Sequence, residues 1–396
     1  MITVEEALGL LKLHSSPANQ VATVALTESF GMLLAEEVTA ERPQPPFNRV
    51  AMDGIAITAK AFEEGHRQFP VEFIQAAGEA PRDLLDYKSC AEIMTGAALP
   101  SNLDGVIPYE LVTITDGIAT VSPQVEFTQD KNIHKMGSDH AAGELLLANA
   151  TKITSPVISI LASEGLSEVK VYKTPKIAVI TTGNELVEID CTPLAHQIRR
   201  SNAYTLKAEL CSFGLENVEL FHLPDSPEKL LLNLEKILAD FQVVILSGGV
   251  SKGKFDFIPS TLADLGVKKI FHKIMQKPGK PFWYGVGGEG QQVYALPGNP
   301  VSCLINLRKY LIPLLTMENC HRPVKIAFEF SQKNSLTKFI PVQLDHLGNA
   351  TRLSSNGSGD YFSLKESHGF VEFQGSIEKF ESGSVVKFYP WGGRAC

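Results

Sequence analysis

The sequence predicts a multi-domain α/β protein built around a doubly wound parallel sheet, with β-rich domains on either side of it in the chain. The chain has 396 residues, more than the roughly 250–300 at which one hydrophobic core stops growing. From Pro175 to Arg322, apolar β-branched runs alternate with helical repeats, as in sheets covered by helices on both faces. After Pro323, short alternating segments separated by Gly and Ser indicate a further β-domain.

The N-terminal part predicts two helical stretches and then a small β-rich domain. Thr3 and Glu6 form a capping-box signature at the start of the first helix, and residues 28–38 give the second helical stretch. Regular structure is then interrupted by three prolines, Pro43, Pro45 and Pro46. Residues 43–137 divide into short apolar segments separated by turn residues, so we assign them to the small β-rich domain.

The α/β domain is predicted over residues 175–322. The run "KIAVITT" (Lys176–Thr182) is typical of a strand buried on both faces. Helices with one apolar face follow, carrying Ala203, Leu206, Leu210, Leu230, Leu234 and Ile237. Because these helices alternate with the runs "VELFHL", "FQVVIL" and "QQVYAL", we expect the strands to be parallel. Residues 323–396 form the C-terminal β-domain.

Composition and charge exclude several classes of protein. The net charge of −8 disfavours nucleic acid as a partner, so an anionic ligand requires a local basic site. The six cysteines show no C-x-x-C pair and no metal-ligand spacing with histidine, which predicts reduced thiols. The N-terminus lacks the features of a signal peptide and no apolar run is long enough to span a membrane. We therefore expect a cytoplasmic protein without a membrane partner.

Three loops follow strands at the edge of the sheet where open α/β proteins bind ligands. They are "TTGNEL" (Thr181–Leu186), "SGGVSKGKFD" (Ser247–Asp256) and "LPGNPVS" (Leu296–Ser302). Their glycines, hydroxyls and backbone N–H groups suit a phosphorylated ligand. The candidate substrate-binding residues are Thr182, Gly183, Ser247, Gly248, Gly249, Ser251, Pro297, Gly298, Asn299 and Pro300.

The stretch from Gly248 to Lys254 spells G-x-x-x-x-G-K but lacks the requirements of a P-loop. A P-loop needs Ser or Thr after the lysine, and a helix that begins there. Phe255 occupies that position, and Pro259 follows soon after. We therefore interpret the match as accidental.

The turn "KPGKP" places Lys277 and Lys280 three residues apart in a segment stiffened by two prolines. Lysine is a compact cationic donor suited to oxyanions. The alternative is a solvated basic turn without a ligand.

Three acids, Glu185, Asp225 and Asp256, each follow a predicted strand end. Asp225 and Asp256 are also typical helix caps, and Glu185 is also typical of a surface charge. Because Mg²⁺ favours carboxylates together with ligand phosphates, we favour a shared metal site for all three.

The motifs together resemble the molybdopterin molybdotransferases, the molybdenum-insertion enzymes that include the E domain of gephyrin. The resemblance extends over essentially the whole chain, through "PPFNRVAMDGIA", "MTGAALP", "NIHKMGSDHAAGELLL", "TTGNEL", "SGGVSKGKFD", "KPGKP", "LPGNPVS" and "NGSGDYFSL". Each motif is weak by itself, and their order along the chain makes the resemblance specific.

The resemblance implies a homodimer of four-domain subunits that binds adenylylated molybdopterin and molybdate. It implies that residues 1–42 and 138–174 form one discontinuous linker domain, that residues 175–322 bind molybdopterin, and that the C-terminal domain is β-barrel-like. With Mg²⁺, such an enzyme cleaves the adenylate, releases AMP and inserts molybdenum. The positions that match family site residues are Asp53, Thr95, Glu185, Asp225, Asp256, Lys277, Lys280 and Ser358.

The sequence departs from the family pattern within several motifs. The departures are Asn48, Arg49, Val50, Ile55, His134, Ser138, Asn184, Leu336 and Pro341. Leu336 and Pro341 replace two arginines expected in the last domain, and we hypothesise that Lys252 compensates for the lost charge. Two alternatives stay open: a molybdopterin-binding or scaffold protein without turnover, and a nucleotide pyrophosphate hydrolase on the same sheet.

Overall fold

The computed structural model describes residues 1–15, 21–249, 257–318 and 320–392. The chain forms two compact units. The large unit consists of Met1–Ala22 and Tyr172–Cys396, and the small unit consists of Thr23–Val171. Within the described ranges, none of the helices is long and apolar enough to cross a membrane.

The small unit is rich in β-structure. Its six-stranded sheet has the order Gly105–Pro108, Gly54–Ile57, Cys90–Ile93, Gln68–Gln75, Ile118–Val121 and Val112–Thr115. A three-stranded sheet has the order Val21–Ala25, Glu168–Tyr172 and Leu33–Leu34. Two-stranded ladders pair Arg49–Val50 with Ile133–His134, and Val38–Thr39 with Leu145–Leu147. The helices of this unit are Ala59–Glu63 and Ser155–Ser163, with 3₁₀ turns at Leu26–Glu28 and Tyr109–Leu111.

The helix predicted over residues 28–38 is wrong. Gly31 adopts a left-handed conformation with φ of 81°, and the short strand Leu33–Leu34 follows it. The backbone N–H groups of Gly31 and Leu34 donate to Ile153 and Thr151, far along the chain. Long-range hydrogen bonds therefore satisfy this backbone in place of bonds within a helix, and a short apolar run fits a strand as well as a helix.

The sheet of the large unit is mixed, which corrects the expectation of a wholly parallel one. Its order is Val218–Leu223, Ile177–Thr182, Val243–Ser247, Gln292–Leu296, Trp283–Val286 and Lys268–His272. The first four strands are parallel, and the last two join antiparallel. Only residues 287–291 separate Trp283–Val286 from Gln292–Leu296, and so short a connection permits a hairpin but no parallel crossover.

Helices cover both faces of this sheet, as a doubly wound fold requires. Ile177 and Val179 pack on one side with residues of Val4–His14, Ser201–Ser212 and Pro300–Asn306. The alternate residues, Ala178 and Ile180, pack on the other side with residues of Pro227–Asp240 and Ile258–Asp264. The helical path after Asn306 continues through a π-helical turn, Leu307–Leu311, and Ile312–Thr316.

The C-terminal residues form an antiparallel sheet that recruits one strand from the α/β region. Its order is Gln276–Lys277, Thr337–Leu344, Gly369–Phe373, Val385–Pro390 and Arg322–Lys325, with Ala350–Arg352 beside Thr337–Leu344. The recruited strand, Gln276–Lys277, is parallel to Thr337–Leu344. Smaller elements are the pairs Leu186–Val187 with Ile198–Arg199 and Phe330–Ser331 with Lys379–Phe380, and the 3₁₀ turn Tyr361–Glu366.

A buried ion pair joins the π-helical turn to the C-terminal sheet. The Lys309 Nζ atom lies 2.8 Å from Glu372 Oε2 and also donates to the Tyr389 hydroxyl. Burial alone would raise the pKa of Glu372. The charge of Lys309 and hydrogen bonds from Lys309 and Tyr389 outweigh burial and hold that pKa below its usual value. Glu372 is therefore an anion inside the large unit.

Removal of one partner of this pair is expected to destabilise the protein strongly. Glu372→Ala leaves the Lys309 ammonium buried without its anion, which lowers the free energy of unfolding by about 3–5 kcal/mol. The double variant Lys309→Met, Glu372→Leu restores most of that loss, because it removes both charges. Urea unfolding followed by circular dichroism measures both effects.

The control is Glu381→Ala, which breaks the exposed pair with Lys379 and should change stability little. Equal losses for Glu372→Ala and Glu381→Ala would contradict the importance of the buried pair.

Candidate functional site

A cavity of about 1910 Å³ opens at the carboxyl ends of the parallel strands in the large unit. The loops after Thr182, Ser247 and Leu296 form one side of it. The turn at Lys277–Pro281 and C-terminal residues from Phe330 to Tyr361 form the other side.

Most of the candidate residues from the sequence line this cavity together. They are Thr182, Gly183, Glu185, Asp225, Ser247, Gly248, Gly249, Lys277, Lys280, Pro297, Gly298, Asn299, Pro300 and Ser358. Ser251 and Asp256 lie outside the described residues, as does Lys252. Asp53 and Thr95 belong to the small unit.

Glycines give the strand-end loops their shape. Gly183, Gly248 and Gly249 have φ values of 141°, 103° and 67°, which are readily adopted only without a side chain. A Cβ atom on Gly183 would lie 2.5 Å from Glu185 Oε2. The Glu185 carboxylate therefore lies close against the backbone of Gly183, in space that only a residue without a side chain leaves open.

Asn202 holds two of these loops together. Its Nδ2 atom donates to Ser247 Oγ at 2.9 Å and to the carbonyl oxygen of Gly298 at 2.8 Å. Asn202 lies in the first turn of Ser201–Ser212 and was missed in the sequence, because nothing in "RRSNAY" distinguishes it from an ordinary polar helix start.

The C-terminal region is joined to the same loops. Asn299 Nδ2 donates to Ser358 Oγ at 2.9 Å, and the Val301 N–H donates to the Ser358 carbonyl oxygen at 3.2 Å. Ser358 is thus held directly over the loop that follows the strand Gln292–Leu296.

A buried polar network supports the turn that carries Lys277 and Lys280. Gln276 Nε2 donates to Asn306 Oδ1 at 2.7 Å and to the Gly279 carbonyl oxygen at 3.2 Å. The Tyr310 hydroxyl donates to Gln276 Oε1, and Asn306 Nδ2 donates to Gly279. The side chains of Gln276, Asn306 and Tyr310 have no access to solvent, so their hydrogen bonds fix the backbone of the turn from which both lysines extend.

Cationic side chains outnumber carboxylates in the lining of the cavity. They are Arg199, Arg200, Lys277, Lys280, Lys333, Lys338 and Arg352, whereas the carboxylates among the described lining residues are Glu185 and Asp225. Arg200 is already paired with Glu188, at 3.0 Å. The cavity therefore provides the local basic site that an overall acidic chain needs to bind an anion.

Glu185 and Asp225 follow neighbouring strands whose ends, Thr182 and Leu223, are register partners. Asn184 Oδ1 accepts a hydrogen bond from the Asp225 backbone N–H at 3.3 Å, so this departure from the family pattern still supports the loop. Within the described ranges, no three His, Cys, Asp or Glu side chains cluster as metal ligands. Two carboxylates nevertheless suit Mg²⁺, which commonly binds one or two carboxylates together with substrate phosphates.

Asp53 and Thr95 form their own contact in the small unit. The backbone N–H and the hydroxyl of Thr95 each donate to Asp53 Oδ1 at 2.6 Å. The hydroxyl bond, followed by the backbone bond, lowers the pKa of Asp53. Asp53 is therefore an oriented, exposed carboxylate.

Comparison with known proteins identifies the family. Three family descriptions match consecutive parts of the chain: the MoeA N-terminal region (domain I and II) over residues 2–165, a probable molybdopterin binding domain over residues 178–317, and the MoeA C-terminal region (domain IV) over residues 323–391. A molybdopterin molybdenumtransferase from Synechocystis sp. is 37% identical over 99% of this chain and 100% of the relative. The chain belongs to the molybdopterin molybdenumtransferase family.

Other members of the molybdenumtransferase family are similar over the same length. A molybdopterin molybdenumtransferase from Bacillus subtilis is 28% identical over 98% of this chain and 93% of the relative. The crystal structure of a molybdopterin biosynthesis MoeA protein from Pyrococcus horikosii has a TM-score of 0.80 at 28% identity, covering 99% of this chain and 100% of that chain. The predicted family, its multi-domain α/β fold and its transferase class are confirmed.

The substitution Gly279→Ala should destabilise the turn that carries Lys277 and Lys280. Gly279 has φ of 84°, and a Cβ atom there would lie 2.6 Å from Asn306 Oδ1 and 2.8 Å from Gln276 Nε2. Loss of these buried hydrogen bonds should lower the free energy of unfolding by about 1–3 kcal/mol. This loss comes in addition to the cost of an alanine in the left-handed backbone conformation. Urea unfolding measures the change in the free energy of unfolding.

The matched control is Gly290→Ala, since Gly290 has φ of 88° with no atom within 4 Å of its Cβ position. It reports the backbone strain alone. If the two variants lose the same stability, the buried network does not constrain the turn.

Proposed function

We propose that this protein transfers molybdenum from molybdate to adenylylated molybdopterin and releases AMP. The observation that carries the proposal is the basic cavity of the large unit, which is lined by glycine-rich strand-end loops, two carboxylates and the two lysines Lys277 and Lys280. Membership in the molybdopterin molybdenumtransferase family supports the same reaction.

The strand-end loops suit the phosphate groups of the pterin substrate. Gly183, Gly248 and Gly249 lack side chains that would keep a phosphate from their backbone. Ser247 and Asn299 bring polar side chains into the same cavity, and Asn202 holds their loops in place. The substrate would therefore be oriented by groups that are already in position, which lowers the entropy lost on reaching the reactive geometry.

Lys277 and Lys280 are the proposed binding residues for molybdate. Both line the cavity, and the network of Gln276, Asn306 and Tyr310 orients their turn. Ammonium groups that extend from a rigid turn stabilise a dianion and the negative charge that develops as the reaction proceeds.

Glu185 and Asp225, together with Asp256, are the proposed ligands of a divalent cation such as Mg²⁺. When bound, the cation would neutralise charge on the phosphates whose bond is cleaved. The protein's own contribution is the space beside Gly183 that the Glu185 carboxylate occupies and the hydrogen bond that joins the Asp225 backbone to Asn184.

We also propose that the protein is a cytoplasmic homodimer in which Asp53 and Thr95 contribute to substrate binding. These assignments rest on the family resemblance and on the oriented Asp53 carboxylate. Light scattering coupled to gel filtration tests the dimer, since a monomeric mass at working concentration would contradict it.

The reaction is tested by incubation of the purified protein with adenylylated molybdopterin, molybdate and Mg²⁺. Release of AMP together with incorporation of molybdenum is the expected result. Binding of the pterin without turnover would identify a scaffold instead, and cleavage of unrelated nucleotide pyrophosphates would identify a hydrolase.

Glu185→Gln should lower turnover far more than substrate binding. The change removes a charge from the proposed cation site and nearly preserves the shape of the side chain. We therefore expect turnover to fall roughly 100-fold, the effect typical of removing one group that stabilises charge in the transition state. Excess Mg²⁺ should recover part of the rate. AMP release at saturating substrate measures turnover, and a titration measures the affinity for the pterin.

Glu235→Gln is the control because Glu235 is exposed on the helix Pro227–Asp240 and does not line the cavity. A Glu185→Gln enzyme with the wild-type rate and the wild-type Mg²⁺ dependence would remove Glu185 from the proposed site.

A further inference from the structure

Lys338 is a cavity residue that neither the motifs nor the resemblance assigns. It lies on the strand Thr337–Leu344 and is the register partner of Lys277 on the parallel strand Gln276–Lys277. Directly paired residues of neighbouring strands lie side by side on the same face of a sheet. Both side chains line the cavity, so the sheet places two neighbouring lysines on the same face there.

No carboxylate in the described parts of the chain forms an ion pair with either lysine within 4.0 Å. Glu372 on the adjacent strand is already paired with Lys309, and it is the register partner of Phe339 rather than of Lys338. Burial, followed by the charge of Lys277, lowers the pKa of Lys338. The sheet therefore maintains a like-charged pair, an arrangement that is unfavourable without an anion.

Apart from Lys338, residues 336–341 present no side-chain donor to the cavity. Leu336 and Pro341, which replace the two arginines expected from the resemblance, also line the cavity but carry no side-chain donor. Arg352, on the neighbouring strand Ala350–Arg352, adds a further positive charge to this wall. Lys338 is thus the one cationic side chain that Thr337–Leu344 presents to the cavity.

We propose that Lys338 and Lys277 together bind one tetrahedral oxyanion, which makes Lys338 a substrate-binding residue of this chain. The inference rests on the proposed function, and the oxyanion is either molybdate or a phosphate of the pterin substrate. Two ammonium groups on adjacent strands supply point-charge donors to a dianion, in place of the bidentate guanidinium groups that Leu336 and Pro341 lack.

Isothermal titration of the full-length protein with molybdate, and separately with AMP, tests the proposal. Lys338→Ala should weaken binding of one probe by roughly 10-fold or more, the effect of removing one charged hydrogen-bond donor. Lys338→Arg should keep most of the affinity because it keeps the charge. Lys325→Ala is the matched control, since Lys325 is an exposed lysine of the same sheet outside the cavity.

The two probes distinguish the two sources of the oxyanion. A loss confined to molybdate assigns the lysine pair to the metal-bearing substrate, and a loss confined to AMP assigns it to a phosphate. If Lys338→Ala binds both probes like the wild type while Lys277→Ala does not, the inference is wrong and the proposed function stands. If the wild-type protein binds neither probe, both the inference and the proposed function fail.

Thermal unfolding separates binding from a structural role. Without an added anion, Lys338→Ala should unfold at the wild-type temperature or above it, because a repulsive charge has been removed. Molybdate or AMP should then raise the unfolding temperature of the wild type more than that of the variant. A lower unfolding temperature for the anion-free variant, with unchanged binding, would make Lys338 a structural residue and overturn the inference.

Discussion

The buried amide of Gln276 is the constraint on which the basic side of the cavity depends. It connects three parts of the chain: the lysine turn through Gly279, the helical segment through Asn306 and Tyr310, and the C-terminal sheet through the strand Gln276–Lys277. Each of these polar groups is buried, so an unmade hydrogen bond costs the desolvation of its partner. The network therefore has one favourable arrangement, and that arrangement fixes the backbone from which the cavity-lining lysines extend.

The cavity itself follows from the way the large unit is assembled. The carboxyl ends of parallel strands leave loops with unpaired backbone groups at one edge, and the C-terminal sheet covers part of that edge through Ser358 and Asn299. The strand Gln276–Lys277 comes from the α/β region of the chain but pairs within the C-terminal sheet. Lys277 from one region and Lys338 from the other therefore line the same cavity. Basic groups thus gather locally in a chain whose net charge is −8.

The sequence allowed the family to be predicted, and most of the predicted site residues line the cavity, because strand-end loops are recognisable as short motifs. "TTGNEL", "LPGNPVS" and "KPGKP" each identified residues that line the cavity. The contribution of Asn202, Gln276 and Lys338 could not be predicted, since each depends on a partner far along the chain. The same reason explains the wrong helix at residues 28–38, where distant backbone groups decide the local structure.

The position of a bound oxyanion tests the central claim most directly. Tungstate has the shape and charge of molybdate, and its anomalous scattering locates it without ambiguity in crystals of the full-length protein. The account predicts one strong peak in the cavity within about 3 Å of the ammonium groups of Lys277 and Lys338, the usual length of such charged hydrogen bonds. Tungstate bound only outside the cavity, or within it but away from both lysines, would contradict the account.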